Sequence, residues 1–175
     1  EEVRSGGNKT PSSEEQYGIA LGGPILQDRL HFFVTYEAKE IDRPRNVRVG
    51  DSAFDVTDLT PEFASLLGST TAPFKQDAYF GKLSFQLDDS NLIELSAKYR
   101  DETEITGVGD GPNTVSYGSA KGNDSTRIDL RWQWSNMDWL NDFHITSEDD
   151  YWNPRPLTIG PGYQLVNTTG GNTFG

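Results

Sequence analysis

Large apolar residues recur at every second position along much of this chain. In the run 30–37, Leu30, Phe32, Val34 and Tyr36 share one parity. His31, Thr35 and Glu37 share the other, and only Phe33 breaks the rule. Upstream, Tyr17, Ile19 and Leu21 alternate in the same way, and the polar Gln27-Asp28-Arg29 separates the two runs. A period of two marks a β-strand with two unlike sides. The pattern returns twice. Tyr79, Gly81, Leu83, Phe85 and Leu87 alternate with Lys82, Ser84 and Gln86. After Asp88-Asp89-Ser90-Asn91, Ile93, Leu95, Ala97 and Tyr99 alternate with Glu94, Ser96, Lys98 and Arg100. Then Ile128, Leu130, Trp132 and Trp134 alternate with Arg127, Asp129, Arg131 and Gln133. Beyond Ser135-Asn136-Met137-Asp138, Phe143 and Ile145 lie opposite Asp142, His144, Thr146 and Glu148. The connecting residues close tight turns through their own side chains. The pattern predicts three hairpins, over about 16–41, 78–101 and 126–151. That is an all-β, antiparallel, up-and-down meander of about six strands.

The links alternate in length. Those inside the hairpins are short; those between them, 42–77 and roughly 101–125, are long. In the first long link, Thr60 is a candidate helix cap, Pro61 suits the first helical position and Gly68 suits the stop. The second is glycine-rich, GVGDGPNTVSYGSAKGN, and Asn123-Asp124 within it reads as a turn. A third polar stretch from Asn153 carries Pro154, Pro156 and Pro161. Short turns alternating with long loops between strands of about ten residues are the pattern of an outer-membrane barrel.

Composition narrows the classes. Only 34% of the 175 residues are hydrophobic, and the mean hydropathy is −0.64. No stretch approaches the ~20 apolar residues of a spanning helix. A membrane barrel shows lipid only every second residue, so low mean hydropathy does not exclude one. The formal charge is −12, which repels phosphate backbones and argues against nucleic-acid partners. The absence of cysteine excludes a disulfide framework and a thiol nucleophile. The start, EEVRSGG, resembles no signal peptide, NTTGGNTFG reads as a loop-like tail, and both ends read as cuts through a longer chain.

Alternation alone does not decide what covers the apolar face, because a β-sandwich core produces it too. Three features favour lipid. Loop lengths alternate by parity, which a Greek-key sandwich does not require. The apolar parity is almost free of charge through all three hairpins. Aromatics gather near strand ends: Trp132, Trp134 and Trp139 flank one short turn, and Tyr36 and Tyr99 lie toward the long links. Tyr and Trp settle where an apolar band meets polar headgroups. Each Trp taken singly reads as an ordinary core residue, and the cluster beside a turn reads as a girdle. The candidate lipid-facing or girdle positions are Tyr36, Tyr79, Leu83, Phe85, Tyr99, Leu130, Trp132, Trp134 and Trp139. The opposite parity supplies candidate lumen-facing residues for contact with a plug or substrate: Lys82, Gln86, Glu94, Lys98, Arg100, Arg127, Asp129 and Arg131. The bland alternative for these is a solvated ladder of ion pairs, each contributing ~0.2–1 kcal/mol.

The segment QYGIALGGPILQDRLHFFVTYEAKE resembles the strand-turn-strand signature near the start of TonB-dependent outer-membrane receptor barrels, closest to their Oar-like branch. The resemblance is carried by Gln16, Tyr17, Gly18, Gly22, Gly23, Pro24, Ile25, Asp28, Arg29, Leu30, Phe32, Phe33, Tyr36 and Glu37. FGKLSFQLDDSNLIELSAKYRD is similar to the next hairpin of such barrels, with Phe80, Gly81 and Lys82 opening it. The likeness reaches to about Tyr151 and leaves out the long links. It implies that 1–175 is part of a 22-stranded transmembrane barrel with long extracellular loops, lacking its plug and C-terminal strands. It also implies outer-membrane lipid and lipopolysaccharide as surroundings, and a plug and the TonB complex as partners in active uptake of a bulky, scarce substrate. The Gly22-Gly23-Pro24 step is then either a bare backbone for a plug to press on or a plain bulge.

No enzyme pattern is present, and no cofactor or metal is expected. Asp88-Asp89 and Glu148-Asp149-Asp150 lie in a turn and at a strand end, without the Asp/Asn/Gly spacing of a Ca²⁺ loop. His31 and His144 sit on different hairpins with no local partner at metal-ligand spacing. No G-x-S-x-G elbow or phosphate loop occurs. Two other readings remain open at this level: a secreted β-sandwich or lectin-like binding module, and an outer-membrane barrel used for adhesion or sensing. For these residues alone the expectation is one open antiparallel sheet with a bare apolar face.

Overall fold

A computed structural model describes residues 12–49, 60–109, 111–161, 165–167 and 172–174. Six long strands carry the alternating runs: β1 (Ser13–Leu26), β2 (Leu30–Val47), β3 (Gly68–Asp88), β4 (Asn91–Thr106), β5 (Ser119–Ser135) and β6 (Leu140–Pro156). They form one open sheet in the order β1-β2-β3-β4-β5-β6, and every neighbouring pair is antiparallel. The up-and-down meander is therefore as its hairpin pattern predicts.

The strands are longer than the alternation suggests, at 14 residues for β1 and 21 for β3. Both long links are strand at their two ends. Residues 42–47 of β2 pair with 68–73 of β3, and 101–106 of β4 pair with 119–124 of β5. Asn123 and Asp124 do not turn; they face Glu102 and Asp101 inside that ladder. The polar stretch after Asn153 also begins as strand, since β6 runs to Pro156. A ladder already in register adds each further rung at little entropic cost, so it carries polar residues that alone would not predict a strand. Cross-strand contacts support the extension. The Arg43 guanidinium pairs with Glu104 and lies 4.9 Å from the Phe74 ring centre. Toward the C-terminus the loop-like tail contains two short paired strands, β7 (Leu165–Asn167) and β8 (Asn172–Phe174).

The predicted helical turn exists as α1 (Pro61–Ala64), with Pro61 in its first turn. The Thr60 carbonyl accepts from Ala64 N at 3.0 Å, but the Thr60 side chain makes no capping bond. Helix ends at Ala64, ahead of Gly68, which opens β3 with φ 118, a left-handed conformation that side chains resist.

All three tight turns lie at one end of the sheet. Asp28 occupies the first with φ 60, and Arg29 N donates to the Leu26 carbonyl. The register of β1 shifts between Pro24 and Leu26, so the GGP step ends in a bulge. Gly22 sits opposite Phe33, and a Cβ there would come within 2.9 Å of the Phe33 ring. Phe33, the exception to the alternation, thus covers a glycine and meets Phe80 edge-on at 6.3 Å. In the second turn the Asp88 carboxylate accepts from Ser90 N and from the Asn91 amide, both at 2.9 Å. In the third, Asn136 Oδ1 accepts from the backbone of Asp138 and Trp139. These are the side-chain closures that the turn residues foretell.

Most of the best-buried described side chains lie in the links rather than within the hairpins. Val47, Ala72, Val108 and Thr114 are at most 4% exposed and sit at the loop end; Ala38 in mid-sheet is the other.

Two predictions follow from this geometry. A Cβ on Gly18 would meet the Tyr36 carbonyl oxygen at 2.8 Å, whereas on Gly23 its nearest neighbour would be 3.9 Å away. Gly18→Ala should lower unfolding stability by about 1–3 kcal/mol and Gly23→Ala should leave it nearly unchanged, as read from denaturant midpoints. The Asn91 amide, and then Ser90 N, hold the Asp88 carboxyl below its usual range. A depressed folded-state value stabilises above the unfolded carboxyl pKa, so this contribution is full above about pH 4 and is lost as pH falls through the folded value. Stability against pH in Asp88→Asn should lack that component.

Candidate functional site

The register fixes which side chains share a face. The β2–β3, β4–β5 and β5–β6 ladders run without a shift, and β3–β4 shifts only between Gln86 and Asp88. Parity therefore passes intact from strand to strand.

One face is oily and layered. Phe32, Leu83, Leu95, Leu130 and Ile145 form one continuous row, and Leu30, Phe85, Ile93, Trp132 and Phe143 form the row nearer the turns. Trp134 lies one step further, opposite Asn91, and the Trp132 indole donates to Asn91 Oδ1 at 3.0 Å. Trp139 is on the adjoining turn and strongly exposed. Toward the loops the apolar rows end in Tyr36, Tyr79 and Tyr99, with ring centres 5.0 and 6.1 Å apart. The next row is Ala38, Asp77, Asp101 and Asp124. Tyr36 donates its hydroxyl to Asp77 at 2.6 Å. Apolar surface thus ends abruptly at a tyrosine row backed by carboxylates. From Trp134 to the Tyr99 rung is roughly eight residues, or ~26 Å along the strand.

The other face is charged. Glu94 joins two cations: Lys82 Nζ lies 2.6 Å from one of its oxygens and Arg131 Nη1 3.7 Å from the other. Ser84 donates to the same carboxylate. Arg131 also holds Asp142 through two bonds of 2.8 and 2.5 Å, and His144 lines the same groove. Further toward the loops, Asp129 accepts from Arg127 and from Thr146. Lys98 stands directly opposite Arg127, is exposed, and has no ion-pair partner among the described residues. Arg100 Nε is shielded from solvent and 3.0 Å from Glu102, without the alignment of a hydrogen bond.

The eight residues expected to face a lumen do share this face. Seven belong to the charged ladder, and Gln86 serves the turn instead, donating to the Asp88 and Asn91 carbonyls. The girdle candidates share the apolar face, apart from Trp139 on its turn. Of the motif residues, Phe32 and Tyr36 lie on the apolar face, and Phe33 and Glu37 on the charged one. The sequence reading missed the Asp77-Asp101-Asp124 row, because its members lay in, or at the border of, stretches read as links. Asp142 as partner of Arg131 also emerges only from the register across the third turn.

Among the described residues no group of His, Asp or Glu is arranged to hold a metal ion. The arrangement provides a charge-paired wall on one side and an oily, aromatic-edged wall on the other. No family model, curated protein or solved structure matches the chain.

Lys82 and Glu94 are partly shielded cross-strand partners. A double-mutant cycle of Lys82→Met and Glu94→Gln should give a coupling of ~0.2–1 kcal/mol that shrinks in molar salt.

Proposed function

We propose that this chain is part of the β-barrel of a TonB-dependent outer-membrane receptor, in which the apolar face meets lipid and the charged face lines the interior. The layering of the apolar face carries this reading. A core-facing surface has no reason to end on both sides in rows of Trp or Phe and of Tyr. A lipid-facing one does, since amphipathic rings settle at both interfaces. Tilted by ~40°, the ~26 Å band covers ~20 Å of depth, close to the ~25 Å apolar height of outer-membrane barrels.

The sheet edges support the same reading. Neither the free edge of β1 nor that of β6 pairs with any described strand. Hydrocarbon tolerates no open edge, so further strands must continue from both. The sequence resemblance supplies the receptor family, with a total of 22 strands. In that setting lipid and lipopolysaccharide surround the outer wall, and the acidic row beyond the tyrosines lies at headgroup level. A plug domain fills the interior against the charged ladder, and the TonB complex drives uptake of a bulky substrate. A sandwich-type binding module needs a second layer over the apolar rows, and no described residues provide one.

Leu130 sits in the middle apolar row. In the full-length protein, Leu130→Arg should cost ~2–4 kcal/mol of stability in a bilayer. The expected outcome is loss of the folded, heat-modifiable form from outer-membrane fractions, while Lys98→Ala assembles normally. Undisturbed assembly of Leu130→Arg would sink the lipid-facing assignment.

A further inference from the structure

On the charged face, level with the tyrosine row of the other face, β4, β5 and β6 frame a groove of about 340 Å³. The register sets out its charges. Lys98 stands opposite Arg127, which stands opposite Glu148; in the next row toward the loops, Arg100, Ser125 and Asp150 lie in line. Phe80 stands opposite Lys98 on β3 and forms the groove's shoulder.

Like charges placed directly opposite each other destabilise a sheet, yet Lys98 faces Arg127. The nearby acids attend to the two arginines. Asp129 engages Nε and Nη2 of Arg127, and Glu102 lies 3.0 Å from Arg100. Lys98 is left exposed, with no ion-pair partner among the described residues. Glu148 and Asp150 are exposed too, and neither forms an ion pair with a described residue. One wall thus carries an unpaired cation on β4 and two unpaired carboxylates on β6, with β5 between them.

The spacing selects a ligand. Two strand intervals of ~4.8 Å put the β4 and β6 backbones ~10 Å apart, and side chains stand roughly perpendicular to a sheet, so the charged ends keep about that separation. An extended peptide advances ~3.3 Å per residue, so the two termini of a tripeptide are also ~10 Å apart. We propose that this groove binds a short zwitterionic peptide lying across the strands. Its carboxylate sits on Lys98, with Arg100 beside it, and its ammonium group sits between Glu148 and Asp150. The Ser125 hydroxyl and Arg127 Nη1, which Asp129 does not engage, serve the peptide's amide groups. The C-terminal side chain meets Phe80. This rests on the barrel reading, in which the charged face is the inner wall that a solute passes.

The full-length protein, purified in detergent micelles, is titrated with trialanine, with its C-terminal amide and with its N-acetyl form, and binding is followed by ligand-observed NMR. Each blocked peptide should bind about fivefold more weakly, the effect of removing one exposed charge pair. Alanine itself, whose two charges cannot span the groove, should also bind more weakly than trialanine. Lys98→Gln should erase the penalty of amidation and keep that of acetylation; Glu148→Gln combined with Asp150→Asn should do the reverse. Heat-modifiable migration checks that each variant is folded, and the comparison of the three peptides on the parent needs no variant. Equal binding of the three forms, no trialanine binding by about 10 mM, or an unchanged amidation penalty in Lys98→Gln overturns the peptide groove. Failure of the barrel reading shows separately, as absence of the protein from outer membranes, and the same titrations of the purified protein then still decide the groove.

Discussion

Everything in this molecule hangs on the backbone ladder. Side chains in a strand alternate strictly between two faces, so a slip of one residue in any pairing would mix oil with charge. Five consecutive interfaces keep parity through the whole alternating region, and the two register shifts fall beside tight turns. The turns make this possible. Asp88 and Asn136 fold their own side chains onto the backbone at the reversals, which fixes where each return strand begins.

Sorting by parity leaves a sheet with almost no conventional core. Leu95, Leu130, Ile145 and Trp132 remain substantially exposed. In water such a surface would be an aggregation site. The charged face solves the opposite problem by pairing within itself, as Glu94 does with Lys82 and Arg131, and Asp142 with Arg131. A wall that is oily outside and internally neutralised inside is what a barrel facing lipid and enclosing a plug requires. The receptor proposal takes its physical content from that contrast, and its family from the sequence resemblance.

Much of this was legible in the sequence, because period-two alternation depends only on local geometry. The six strands, the tight turns, the composition of each face and the helical turn at Pro61 follow from residue types and spacing. Phe33 looked like an error in the pattern, and its reason lies across the ladder in Gly22. The true strand lengths were not legible. Asp42, Arg43, Asp101, Asn123 and Asp124 have weak strand preference, and they extend only because a partner already in register receives them.

The sequence by itself determined the alternation, and with it two faces of opposite chemistry, because the side chain of each residue is set by the pleat. Only the tertiary structure decided which residues became neighbours. It aligned Tyr36 with Tyr79 and Tyr99, set the carboxylates of Asp77, Asp101 and Asp124 behind them, and brought Gly109 and Gly111 against the end of β2. Those juxtapositions join positions tens of residues apart. They depend on the summed register of several ladders, which no local pattern contains.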